Sequence, residues 1–64
     1  MNPVKMTVET IRVQMGMTQE ELAEKLGMST STYIQKVKKR AEWKGSELNK
    51  IKHLSGVSLD CIDF

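Results

Sequence analysis

The sequence predicts an all-α fold, a compact bundle of about five short helices, and three observations carry that prediction. Apolar residues recur at three- and four-residue spacing, cap residues precede the runs, and no segment alternates with period two. The 64 residues suffice for a single domain, 1–64, with one small core. Cys61 is the only cysteine, which excludes an intramolecular disulfide, and one His with one Cys cannot supply the four ligands of a structural zinc site. No metal and no cofactor is expected, and the fold must stand on apolar packing. No apolar run approaches the ~20 residues that span a bilayer, and Met1-Asn2-Pro3-Val4-Lys5 lacks the apolar stretch of a signal peptide. A cytoplasmic setting without membrane association is the expectation.

Val8, Ile11, Arg12 and Met15 recur at helical spacing from Thr7 onward, and Gly16 supplies the left-handed residue that commonly stops a helix. This places the first helix at roughly 5–15. Thr18-Gln19-Glu20-Glu21 is a capping box, flanked by Met17 and Leu22 as a hydrophobic staple. The second helix runs from there to about Leu26, with Leu22, Ala23 and Leu26 on one face and Gly27 at its end. Ser29 caps a third helix reaching Val37, whose buried side is marked by Tyr33 and Val37. The basic stretch Lys38-Lys39-Arg40-Ala41-Glu42 reads as a surface loop, and Trp43 after it should turn inward and be largely buried. A fourth helix follows from about Gly45 to Leu54, with Leu48, Ile51 and Leu54 at three-residue spacing. Ser58 caps a short fifth, Leu59 to Ile62.

The net charge of +2 is unevenly spread. Residues 1–28 carry −1, residues 29–52 carry +5, and the last twelve carry −2. A lysine cluster is by itself an ordinary solvated face. Here Lys36, Lys38, Lys39, Arg40 and Lys44 gather at one structural location, the end of the third helix and the loop behind it.

Two short helices joined by a Gly27 turn, with the small Ala23 early in the first, form the arrangement of a helix-turn-helix unit over 18–37. Thr18-Gln19-Glu20-Glu21-Leu22-Ala23-Glu24-Lys25-Leu26-Gly27-Met28-Ser29 resembles the pattern of the phage repressor and Cro-like family, and Gly56-Val57-Ser58-Leu59-Asp60 resembles its closing motif. The resemblance implies that the second helix of the unit lies in the major groove of duplex DNA while the first crosses the backbone. Thr30, Ser31 and Gln35 then become base-reading candidates; a glutamine can pair bidentately with adenine. Ile34, also expected on the outward face, would meet a thymine methyl or a partner protein. Gln19 resembles the family's phosphate-contacting glutamine and Thr32 is a second backbone candidate. Lys36, Lys38, Lys39, Arg40 and Lys44 would neutralise further phosphates. The chain departs from the pattern in two places. Val37 stands where relatives place a glutamate that pairs with an arginine of the first helix, so Arg12 needs another partner or solvent. Lys44 stands where relatives often cap the fourth helix with threonine, leaving Ser46 as the other candidate cap.

The resemblance thus implies a sequence-specific, duplex-DNA-binding transcriptional regulator, a phage or prophage Cro-like repressor of a bacterial host cell that associates with the nucleoid when bound. Such proteins bind as symmetric homodimers, and the apolar Leu59, Ile62 and Phe64 are the expected dimer interface. An alternative of another class stays open, a protein-binding module such as an antitoxin or a modulator of another repressor, favoured by Ile34, Ile62 and Phe64. An enzyme is not expected. Glu20, Glu21 and Glu24 fall on a solvated helix face with no nucleophile or metal constellation beside them, and His53 suits the C-terminal dipole of the fourth helix.

Overall fold

The sequential caps produce the expected helices. In the computed structural model, which describes residues 5–64, the elements are β1 (Met6–Thr7), α1 (Val8–Gln14), α2 (Gln19–Leu26), α3 (Thr30–Val37), α4 (Gly45–Ser55), a 3-10 turn (Leu59–Cys61) and β2 (Ile62–Asp63). The expectation about Met1-Asn2-Pro3-Val4 lies outside the described residues. Each helix start has a visible chemical cause. Thr7 Oγ1 accepts from the Thr10 amide at 3.1 Å, so α1 begins after Thr7 rather than at residue 5. Thr18 and Glu21 complete their capping box, with bonds of 3.1 and 3.0 Å, and Ser29 Oγ accepts from the Thr32 amide at 3.1 Å. At α4 the cap position is Lys44, not Ser46. Lysine has no acceptor to offer, and only the reciprocal half of a box forms, with Glu47 Oε1 accepting from the Lys44 amide at 2.8 Å.

The core gathers Val8 and Ile11 of α1, Leu22, Ala23 and Leu26 of α2, Tyr33 of α3, Leu48 and Ile51 of α4, and Ile62 of β2. Every helix contributes one stripe, as short amphipathic helices must if a chain this small is to exclude water from any volume at all. Leu54 departs from its expected face: it is 40% exposed, because α4 outruns the bundle after Ile51. Trp43 turns inward and packs against the core, half-buried, meeting Tyr33 edge-on with ring centroids 6.0 Å apart.

Two features correct the all-α expectation. The last helix is a single 3-10 turn, and residues 6–7 and 62–63 pair as a two-stranded parallel sheet, Met6 opposite Ile62 and Thr7 opposite Asp63. Strands of two residues are too short to show alternation in sequence. Their pairing depends on the helices between them bringing the segments together, so it is decided by the tertiary fold. The pairing places Ile62, expected at a dimer interface, inside the chain's own core at 2% exposure.

Three helices end in the same way. The amides of Gly16 and Met17 bond to Val13 and Arg12 carbonyls, those of Gly27 and Met28 to Glu24 and Ala23, and those of Lys39 and Arg40 to Lys36 and Gln35. Each is a Schellman motif with a left-handed residue at its corner. Glycine occupies that corner in the first two, but in the third it is Lys39, at φ 61, the one non-glycine residue at positive φ among those described. A side chain there costs about 1–2 kcal/mol relative to glycine, partly offset by glycine's greater freedom in the unfolded chain. Lys39→Gly should therefore stabilise the fold by about 1 kcal/mol, a rise of about 4–8 °C in Tm that a thermal melt would register. An unchanged or lowered Tm would mean the corner is unstrained.

Candidate nucleic-acid interface

The side of α3 away from the core is set by Tyr33. With Tyr33 buried, Ser31 and Gln35, two residues to either side, point outward and are exposed; Thr32 is exposed and Thr30 half-buried. Ser29 Oγ donates to Thr32 Oγ1 at 2.9 Å, which leaves the Thr32 hydroxyl proton free to face outward. Ile34 does not stand clear of the protein as the sequence suggested. It is half-buried and packs against the core, as does Val37.

Thr30, Thr18, Gln19, Glu20 and Arg12 line a shallow concavity of about 480 Å³ between the starts of α2 and α3. Its floor is polar. The Glu9 carboxylate takes Arg12 bidentately, Nε and Nη2 each at 3.1 Å, and accepts from Tyr33 Oη at 2.6 Å and Gln19 Nε2 at 3.3 Å. Arg12 Nη1 also donates to the Met17 carbonyl at 2.6 Å. The arginine partner missing from α3 is thus found one turn earlier on α1. Burial pushes the Glu9 carboxyl up, but the bonds from Arg12, Tyr33 and Gln19 outweigh it and hold it below its ordinary range. Tyr33 is pushed the other way, by burial first and by the facing carboxylate second. The i, i+3 spacing of Glu9 and Arg12 was visible in the sequence; that a tyrosine and a glutamine from two other helices join them was not.

Of the basic cluster, Lys38, Lys39, Arg40 and Lys44 are exposed. Lys36 is not. It is 6% exposed, its ammonium pairs with Glu47 of α4 and lies 5.8 Å from the Trp43 ring centroid, so it is withdrawn from the phosphate-facing set. The reason is helical geometry: three residues after Tyr33, Lys36 falls on the same inward side. Lys39 reaches Asp63 at 3.7 Å, both side chains largely in water, an attachment worth about 0–1 kcal/mol and easily exchanged. Of the three residues expected at a dimer interface, Ile62 is in the core, Leu59 is half-buried against it, and Phe64 is 57% exposed. Phe64 flanks a groove of about 350 Å³ with Ala41 and Trp43.

Among the described residues no helix is long and apolar enough to cross a membrane, and no group of acidic, His and Cys side chains is placed to hold a metal ion. A family model described as helix-turn-helix matches residues 8–59. No curated protein and no solved structure matches the chain. The matched span runs from the first core residue of α1 to the 3-10 turn and takes in both caps, the Gly27 turn and the outward face of α3, so the chain belongs to the Cro/C1-type helix-turn-helix family of DNA-binding regulators.

Proposed function

We propose that the protein is a sequence-specific transcriptional repressor of the phage or prophage Cro-like type, reading the major groove with α3. The observation that carries this reading is the exposure of Ser31 and Gln35 on the side of α3 opposite Tyr33, directly before the exposed cations Lys38, Lys39 and Arg40. Thr30, at the start of the same helix, joins them as a base reader; Ile34, half-buried, can offer a thymine methyl only its outer edge. Gln19, Thr32 and Lys44 complete the phosphate contacts around this face. One reading helix covers one half-site, so the protein acts as a symmetric dimer with half-sites about one helical turn, ~34–36 Å, apart. Phe64 supplies apolar contact area for the second copy. The exposed Phe64 and its groove also favour a second reading, a surface for another protein.

Binding curves on a duplex selected from a random pool and on random-sequence duplex test the assignment. Gln35→Ala should cost about 1–3 kcal/mol on the selected duplex and little on random DNA, because only the former offers it a matched base edge. Lys39→Ala should weaken both alike. If Gln35→Ala leaves discrimination intact, the reading face is misplaced; if neither variant alters duplex affinity, the protein-binding reading is the better account.

A further inference from the structure

We propose that Glu9 is a positioning residue for DNA reading: one carboxylate, bonded at once to Tyr33 of the reading helix and Gln19 of the helix that holds the backbone, fixes the angle between them. The inference rests on the assignment of α3 and Gln19 above. Glu9 Oε1 accepts from Arg12 Nε and Tyr33 Oη, while Oε2 accepts from Arg12 Nη2 and Gln19 Nε2. Four donors from α1, α2 and α3 meet on two oxygens, filling a carboxylate's acceptor capacity.

Each end of this junction has a functional neighbour. Tyr33 is fully buried, and its hydroxyl tethers to α1 the helix turn that carries Ser31 and Gln35 outward, while Lys36, on the same inward side, is tied to Glu47 of α4. A rotation of α3 by about 10° about its axis moves a side-chain tip at the helix perimeter by about 1 Å. That displacement is enough to break a hydrogen bond to a base edge. Gln19 is held through one N–H of its amide, which fixes the amide beside the concavity that it lines with Thr18 and Thr30. The bidentate Arg12 fixes the carboxylate itself, and Arg12 is in turn fixed to the Met17 carbonyl in the turn before α2.

Charge and positioning make opposite predictions, which allows a clean test. Glu9 is partly exposed on the side that faces a polyanion, so by charge alone its neutralisation should tighten binding to every duplex. Glu9→Gln also replaces an acceptor oxygen with an amide that points donors at Arg12, Tyr33 or Gln19, so the junction comes apart. Positioning therefore predicts that Glu9→Gln lowers the ratio of selected-duplex to random-duplex affinity about tenfold, the worth of one misaligned base contact, while random-duplex affinity holds or rises. Tyr33→Phe keeps the charge and the ring and removes only the tether. It should lower the same ratio, and the two changes together should lower it no further than Glu9→Gln alone. Each variant is measured at a temperature where its circular dichroism matches the parent's. In free protein, backbone amide shifts from Thr30 to Gln35 should move together in both variants, a readout that a loss of stability alone would leave in place. Unchanged discrimination and unchanged α3 shifts in Tyr33→Phe, or a parallel rise on both duplexes in Glu9→Gln, overturns the inference. Failure of the parent chain to bind any duplex overturns the functional reading itself and the inference with it.

Discussion

Replacing Glu47 with alanine is expected to destabilise the protein by about 3 kcal/mol, the usual cost of leaving one member of a buried ion pair without its partner. A domain of this length is stable by about 3–10 kcal/mol, so the substitution removes a large share of the total and can leave much of the chain unfolded. The cause is the surroundings of Lys36. Its ammonium is enclosed between α3, α4 and the Trp43 ring, and Glu47 is the carboxylate it bonds. Glu47→Ala also removes the acceptor for the Lys44 amide at the start of α4. Adding Lys36→Met separates the two losses: the apolar stem still packs on Trp43, no charge is stranded, and only the cap remains missing. The double variant should lie about 1 kcal/mol below the parent, and urea melts of the three proteins measure the difference. A double variant as unstable as Glu47→Ala alone would show that the stranded ammonium is not the cause.

The same pair gives stability a defined pH dependence. Burial pushes the Glu47 carboxyl up, but the bonds from Lys36 and from the Lys44 amide prevail and hold it below its ordinary value of 4.5. A carboxyl whose folded value is depressed contributes fully above its unfolded value and loses that contribution as pH falls through the folded one. The gap between the parent and Glu47→Ala should therefore be constant near neutrality and narrow on acidification below about 4.5.

Duplex affinity should fall about 150-fold per protomer when salt is raised fourfold. Lys38, Lys39, Arg40 and Lys44 are the exposed cations beside the reading helix. If each neutralises one phosphate, log affinity falls with log salt at a slope of about −3.6 per protomer. Lys36 is excluded from that count because its charge is already matched by Glu47. The double variant Lys36→Met, Glu47→Ala should leave the slope unchanged, whereas Lys39→Gly should reduce it by about one unit even as it raises Tm. Stability and binding then move in opposite directions at one residue, as expected where a left-handed corner keeps a side chain for function. A slope near zero for the parent would remove the phosphate contacts from consideration.

The helices and their ends were legible in the sequence because their causes are local. Thr18 with Glu21, Ser29, Gly16 and Gly27 act on amides and carbonyls within four residues of themselves, so the order of symbols already contains the geometry. The outward positions of Ser31 and Gln35 were legible for the same reason, since a single buried tyrosine fixes the phase of an eight-residue helix. What a residue meets across the bundle was not legible. Lys36 reads as one more member of a basic cluster until α4 closes over it, and Ile34 and Ile62 read as exposed until the core reaches them. Glu9 reads as an ordinary charged residue of α1, and only the approach of three helices makes it the acceptor for Arg12, Tyr33 and Gln19. Local chemistry set the caps, the helix ends and the outward positions of Ser31 and Gln35, which depend on neighbours a few bonds away. The tertiary structure decided which charges are spent inside the protein and which remain for a partner, because pairing and desolvation depend on distances that only the packed chain defines.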